Sequence, residues 1–110
     1  MLLLPGLLDL CILRALRWEP THGAGVASWI RLVTDGALDP EEGTLYPALH
    51  RLERRGLIES EWGPSEHNRR ARHYQLTAAG RQQLRQELDR WRDYRTTIEK
   101  IVTYGYAGGL

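Results

Sequence analysis

Apolar residues recur at helical spacing in four stretches of the chain, at about residues 3–17, 23–34, 39–55 and 77–103. Between the third and fourth stretches the period changes from 3.6 residues to 2, which is typical of β-strands. The dipeptide Asp35-Gly36 predicts a tight turn between the second and third stretches. Two short helices joined by a turn that contains glycine form a helix-turn-helix arrangement. The pattern therefore predicts a mostly α-helical chain with one small β-hairpin.

The third helix, residues 39–55, begins with a capping signal. Asp39 can accept a hydrogen bond from the first-turn N–H groups, Pro40 suits the first helical position, and Glu42 completes a capping box. Gly56 ends the helix, because glycine enters the left-handed conformation at little cost. Pro47 lies inside the helix and has no backbone N–H to donate, so we expect a local distortion there.

This third helix has two chemically different faces. Leu45, Leu49 and Leu52 form an apolar face that is typical of packing into a core. The remaining face carries hydroxyl, aromatic, imidazole and guanidinium groups. These belong to Thr44, Tyr46, His50, Arg51, Arg54 and Arg55. Directly after a tight turn, such a face predicts a helix that approaches DNA bases and phosphates.

The first helix is apolar on nearly every side, and Leu7, Leu8 and Cys11 are among its apolar residues. A helix of this kind needs cover on more than one face. The cover comes either from a second subunit or from a tightly wrapped monomer. For the second helix, Thr21 or His22 is the predicted cap. The predicted inner face of that helix consists of Val26, Trp29, Ile30 and Val33.

The alternating region predicts a two-stranded hairpin, with residues 58–62 on the outgoing strand and 72–76 on the return. Its tip includes the segment HNRRARH at residues 67–73, which has three arginines, two histidines and no acid. We expect residues 63–73 to lie along DNA phosphates, because they directly follow the helix-turn-helix. The alternative is a tip that is charged only because it is solvated.

The last helix is predicted to be capped by Thr77 and to run to about Thr103. At 1.5 Å per residue it is about 40 Å long, which is more than a domain of this size can cover. The apolar stripe of this helix consists of Leu84, Leu88, Trp91, Ile98 and Val102. The stripe favours a coiled-coil-like contact between two copies. Trp91 either fills that contact or forms an aromatic wall for a planar apolar effector.

Composition narrows the possible functions. The formal net charge is only +1, so charge alone does not indicate nucleic-acid binding, but Lys100 is the single lysine among the 15 basic residues. Arginine suits phosphates and guanine edges, although a GC-rich genome also produces arginine. The single cysteine, Cys11, excludes a disulfide framework and a cysteine-based metal site, and favours a reducing cytoplasm. Asp9 and Arg14 interrupt the leucine-rich start, which argues against a membrane segment.

Four sequence blocks carry a resemblance to a known family. They are HG at residues 22–23, GTLYPALHRLERRGLI at 43–58, NRRARHYQLTAAGR at 68–81 and WxxY at 91–94. With them the chain resembles the PadR-like family of bacterial transcriptional regulators, in its short single-domain form, over about residues 4–103. The resemblance implies a winged helix-turn-helix homodimer that binds a palindromic double-stranded DNA operator, usually as a repressor. It also implies that the first and last helices form the dimer and that the helix at 39–55 enters the major groove.

The pattern and the resemblance together predict two sets of site residues. The predicted DNA-binding residues are His22, Thr44, Tyr46, His50, Arg51, Asn68, Arg69, Arg70 and Arg72. The predicted dimer interface consists of Leu7, Leu8, Cys11, Leu84, Leu88, Trp91, Tyr94 and Ile98. Trp91 is also the candidate for a small aromatic effector pocket. No cofactor or metal is expected, and the absence of converging catalytic groups argues against an enzyme.

The expected organisation is a DNA-binding domain at 1–76, a dimerisation helix at 77–103 and a flexible tail at 104–110. The chain departs from the family pattern at two positions. Ala24 replaces the usual aromatic after HG, and His67 replaces the second asparagine of the wing, which suggests a pH-sensitive phosphate contact. The competing function is a winged-helix module that binds proteins instead of DNA.

Overall fold

The structure, a computed structural model, describes residues 6–64 and 69–105. They form four α-helices and one three-stranded antiparallel sheet, and this arrangement confirms the predicted fold class. The helices are α1 (Leu7–Ala15), α2 (Gly23–Val33), α3 (Glu42–Arg54) and α4 (Ala78–Thr103). The strands are β1 (Thr21–His22), β2 (Ile58–Pro64) and β3 (Arg70–Leu76). We call β2 and β3 the wing.

The sheet has the strand order β1–β3–β2, so β3 lies in the middle. The wing is the predicted hairpin, and its register places Trp62 opposite Arg72. The strand β1 was not predicted, because two residues are too few to show an alternating pattern. It pairs His22 with His73 of β3. This third strand brings the N-terminus of α2 against the wing.

The helix α1 packs one face into the core and leaves another partly open. Ile12 and Leu13 are buried, whereas Leu7, Leu8 and Cys11 are only partly covered. The helix ends at Ala15, two residues before the predicted end at 17, and its predicted start at 3 lies outside the described residues. Part of the apolar surface of α1 is therefore not covered by the rest of the chain and is available for a further contact.

The helix α2 is capped by His22, whose Nδ1 accepts the backbone N–H of Gly25 at 3.0 Å. The prediction that Val33 faces inward is wrong, because its side chain is 53% exposed. Val33 is the last helical residue and lies beyond Ile30, which reaches the core. The chain then reverses at residues 35–36, where both residues have positive φ, as the predicted tight turn requires.

The helix α3 begins at Glu42 and not at Pro40. Glu41 occupies the N-cap position, and its side chain makes no capping hydrogen bond. Asp39 pairs instead with Arg31 of α2, with 3.1 Å between Oδ1 and Nη1. Pro40 is buried, and a proline disfavours the helical conformation in the residue before it. The predicted capping box is therefore wrong, because the ion pair and the proline hold Asp39 away from the helix start.

The first two turns of α4 belong to the core, and the rest of the helix extends beyond it. Thr77 caps the helix by accepting the N–H of Gly80 at 3.0 Å, as predicted. Leu84 is 3% exposed, whereas exposure reaches 39% at Ile98 and 68% at Ile101. The predicted boundary at residue 76 therefore separates sequence segments that share one hydrophobic core.

Gly80 is where α4 touches the segment that follows α3. A Cβ atom at Gly80 would lie 1.9 Å from the carbonyl oxygen of Leu57. We expect Gly80→Ala to lower the free energy of unfolding by about 1–3 kcal/mol, because α4 must shift to relieve the overlap. Urea denaturation measures this change.

The matched control is Gly43→Ala, another glycine within a helix. A Cβ atom at Gly43 would have no heavy atom within 4 Å. Its free energy of unfolding should stay constant or rise by roughly 0.5 kcal/mol, since alanine favours helices. Equal losses of stability in the two variants would contradict the close contact at Gly80.

Candidate nucleic-acid interface

A cleft of about 460 Å³ lies where the N-terminus of α2, the middle of α3 and the wing meet. Its polar and aromatic walls are His22, Tyr46, His50, Trp62, Arg70 and Arg72. None of the described residues that line it is acidic. The structure thus brings together five predicted DNA-binding residues from three parts of the chain. Guanidinium and imidazole groups around one cleft suit an anionic partner.

The α3 wall of the cleft carries Tyr46 and His50, which lie one helical turn apart. Tyr46 is 37% exposed, and His50 is also exposed. The apolar residues Leu45, Leu49 and Leu52 are buried in the core. Burial of this apolar face fixes the rotation of α3 and so determines which side chains it presents to the cleft.

The wing wall is built around Trp62. The guanidinium carbons of Arg70 and Arg72 lie 5.4 and 5.6 Å from the centre of its ring. These distances are in the range of cation–π attraction, which is worth about 0.5–1 kcal/mol at exposed sites. Trp62 is itself 57% exposed. The indole therefore restrains both arginines beside the cleft while leaving them accessible.

His22 connects the cap, the sheet and the cleft. Its Nδ1 accepts the N–H of Gly25, so in the neutral ring the proton is on Nε2. The ring meets His73 edge to face, with 5.6 Å between centroids. His73 Nε2 donates to the carbonyl oxygen of Pro64 at 2.7 Å, since a carbonyl only accepts. Through these contacts His22 stabilises the fold, and this role does not depend on ligand binding in the cleft.

The floor of the cleft is neutral. Tyr74 is 2% exposed. Burial raises the pKa of its phenol, and the nearby positive charge of Arg72 acts in the opposite direction. The phenol is protonated at neutral pH, so Tyr74 adds no negative charge to the cleft.

Several predicted DNA-binding residues are not in the cleft. Arg51 pairs with α1, where its Nη2 donates to Asp9 Oδ1 at 2.5 Å. Its side chain is 47% exposed, so this ion pair lies at the surface outside the cleft. Thr44, in the first turn of α3, and Arg69, before β3, are exposed but do not line the cleft. Asn68 lies outside the described residues. So does His67, and its pH-sensitive contact stays a prediction.

A second groove, of about 400 Å³, lies between α1 and the outer half of α4. Its apolar lining residues are Leu7, Leu10, Trp91, Tyr94 and Ile98. Trp91 and Tyr94 meet edge to face there, with ring centroids 5.6 Å apart. Leu88 is 38% exposed and is available to a partner, but Leu84 is covered by the chain's own core. The groove thus contains four of the eight predicted interface residues, Leu7, Trp91, Tyr94 and Ile98, whereas Leu84 is buried and not accessible to a partner.

The sequence missed Gly23, Ala24 and Trp62 as residues of the cleft. Two features of the sequence could have indicated these cleft residues: the HG pair at 22–23 and the arginines near the hairpin. Trp62 was placed correctly in a strand, but the arginines that flank it depend on strand register. The contact of Gly23 depends on how two helices pack, which residue spacing does not reveal.

No group of three or more His, Cys, Asp or Glu residues that could hold a metal occurs within 6–64 and 69–105. In the same ranges, no helix is both long and apolar enough to cross a membrane. Burial raises the pKa of the Cys11 thiol, which fits its partly buried position against the core.

The family comparison decides the class of protein. The model described as "Transcriptional regulator PadR-like family" matches residues 12–86, which is more than half of the chain. The chain belongs to the PadR-like family. The predicted resemblance is therefore confirmed, and so is the expectation of a transcriptional regulator in place of an enzyme. Membership in the PadR-like family also favours a DNA-binding regulator over a protein-binding module.

Solved structures of PadR-like and related regulators resemble this chain closely. A transcriptional regulator from Clostridium thermocellum is 33% identical, with a TM-score of 0.80 and coverage of 88% of this chain and 94% of that chain. A PadR-like transcriptional regulator from Bacillus cereus is 26% identical, with a TM-score of 0.76 and coverage of 88% and 92%. PadR of Bacillus subtilis, solved in complex with operator DNA, is 25% identical, with a TM-score of 0.66 and coverage of 74% and 47%.

The capping role of His22 is testable separately from DNA binding. His22→Ala should lower the free energy of unfolding by about 1 kcal/mol, because the N–H of Gly25 loses its acceptor. His22→Asn restores a side-chain acceptor at the cap and should recover most of that stability. Urea denaturation of both variants measures the difference. If asparagine and alanine destabilise equally, the capping bond does not stabilise α2.

Proposed function

We propose that this DNA-binding regulator acts in the cytoplasm as a homodimeric repressor on a palindromic operator. The observation that carries the proposal is the cleft, in which α3 and the wing present aromatic, imidazole and guanidinium groups together. DNA offers phosphates to the charged groups and base edges to the helix. The operator complex of the Bacillus subtilis relative supports DNA as the partner.

In our proposal α3 enters the major groove and the wing lies along the adjacent backbone. Thr44 and Tyr46 lie in the first half of α3, and His50 follows one turn after Tyr46; all three are exposed. Arg70 and Arg72 flank the indole of Trp62, and in our proposal they contact phosphates. Base contacts then determine which sequence is bound, and phosphate contacts determine how strongly any DNA is bound.

The competing function, a module that binds another protein, has less support from the same surface. Tryptophan and arginine also occur at protein interfaces, so the residue types alone do not separate the two functions. The charge of the cleft does: Arg70 and Arg72 flank the exposed ring of Trp62, and none of the described lining residues is acidic. Two arginines beside one ring fit an anionic backbone better than an apolar partner.

Dimerisation is proposed to use α1 and the outer part of α4. Ile98, Ile101 and Val102 are 39%, 68% and 65% exposed, which is costly for an isolated chain in water. A second copy of α4 would cover this stripe and place two α3 helices on one operator. Half-sites about 34 Å apart, or a multiple of that, would match such a pair.

Trp91 has a second proposed use. Its ring and that of Tyr94 give the groove beside α1 an aromatic wall. A small planar aromatic effector fits such a wall, and binding there would act on the same helices that form the dimer. Filling the dimer interface is the competing role of Trp91, and the exposed stripe around it favours this role.

The phosphate contacts of the wing predict a change in salt dependence. DNase footprinting of the protein on the DNA upstream of its own gene first locates the protected duplex. Arg70→Ala and Arg72→Ala should each weaken binding to that duplex and to random DNA alike. Each should also flatten the slope of log K against log salt by about one unit, because one phosphate contact is lost.

The control for these variants is Lys100→Ala, which removes the same charge from the last turns of α4. Lys100 does not line the cleft, so its removal should leave the salt slope unchanged. If the wild type and the three variants all have the same slope of log K against log salt, the wing does not bind phosphates. A complete absence of protection in the footprint would contradict operator binding itself.

The proposed interface predicts that a charge on the α4 stripe dissociates the dimer. Ile98→Asp buries a carboxylate in the interface, so the variant should sediment as a monomer at micromolar concentrations where the wild type is a dimer. Asp93→Ala, which removes a charge from the exposed surface of α4, is the control and should stay dimeric. A dimeric Ile98→Asp variant would place the interface elsewhere.

A further inference from the structure

The first residue of α2 lies against the edge of the Tyr46 ring. A Cβ atom built on Gly23 would be 2.7 Å from Tyr46 Cε1, 2.8 Å from the hydroxyl oxygen and 2.9 Å from Cζ. Non-bonded carbon atoms approach optimally at about 3.5–4.0 Å. The edge of the phenol ring therefore occupies the space that any side chain at residue 23 would need.

Close approach, and not backbone conformation, explains the glycine at this position. Gly36 and Gly56 have positive φ, at 80° and 75°, so their turns need glycine for conformational reasons. Gly23 does not have a positive φ; it is the first residue of a regular helix and is buried. Alanine would fit its backbone, and the three atoms nearest to an added Cβ all belong to the side chain of Tyr46.

The backbones on both sides of this contact are fixed more firmly than the ring. Val26 and Ile30 anchor α2 in the core, and Leu45 and Leu49 anchor α3. The ring of Tyr46 is the end of a flexible side chain and is 37% exposed. A methyl group at residue 23 would therefore rotate the ring and leave the helices in place.

We infer that Gly23 is a positioning residue for DNA recognition. Its missing side chain lets the ring of Tyr46 lie against α2 at the mouth of the cleft. The inference rests on the proposed function, in which Tyr46 faces DNA. With the ring seated on α2, its hydroxyl has a defined place on the recognition surface. A Tyr46 ring that is already ordered in the free protein improves DNA affinity, because less side-chain freedom is lost on binding.

A double-mutant cycle tests the inference. Gly23→Ala, Tyr46→Ala and the double variant are compared with the wild type on the duplex protected in the footprint and on a random duplex of equal length. Gly23→Ala should weaken binding to the protected duplex about tenfold, the loss of roughly one good contact. In the Tyr46→Ala background the same change should have no effect, because the ring that it displaces is gone.

The melting temperature of Gly23→Ala should stay within a few degrees of the wild type, since only the ring moves. Proton chemical shifts of Gly23 give a readout without DNA: Tyr46→Ala should shift the α protons through loss of the ring current, and His50→Ala should not. Unchanged chemical shifts of Gly23 in Tyr46→Ala would overturn the inference. So would a Gly23→Ala variant that binds the protected duplex with full affinity, or a double variant in which the two losses of affinity simply add. If Tyr46→Ala alone keeps full affinity, the inference also fails, while the effects of Arg70→Ala and Arg72→Ala still decide the proposed function.

Discussion

The contact between the end of α3 and the start of α4 is the constraint on which the arrangement of this chain depends. Thr77 Oγ1 donates to the carbonyl oxygen of Gly56 at 2.7 Å, and its backbone N–H donates to Leu57 at 3.1 Å. The missing side chain of Gly80 lets the two backbones touch. The helix proposed to face DNA is therefore joined to the proposed dimer helix without a flexible linker, and in the proposed dimer the spacing of the two α3 helices follows from how the two α4 helices pack.

Local signals predicted most of the fold, and they failed where a distant residue competed with them. The caps at His22 and Thr77 act within one helical turn, so the sequence around them was sufficient. The cap at Asp39 failed because Arg31, eight residues away, binds its carboxylate. Strand β1 depends entirely on pairing with β3, and no periodic pattern in two residues can show such a pairing.

The candidate site was predictable as a set of residue types but not as a geometry. The amphipathic pattern of α3 was sufficient to identify Tyr46 and His50 as neighbours on one surface. It did not separate them from Arg51, because the partner of Arg51 is Asp9 on another helix. The roles of Trp62 and Gly23 follow from strand register and helix packing, which arise only after the chain has folded. The function was predicted from the family resemblance, whereas the separate roles of the individual residues were inferred from their contacts in the structure.

The position of Leu84 in the core also affects how the protein is made. Synthesis proceeds from the N-terminus, and domains generally fold as units as they emerge. Every element of the surface proposed to face DNA has been synthesised by Leu76, yet Gly80 and Leu84 still have to close the core beneath it. A nascent chain held at this point lacks the α4 residues that lie against Leu57 and Leu76. The ribosome must therefore release the first turns of α4 before the surface proposed to face DNA acquires its final shape.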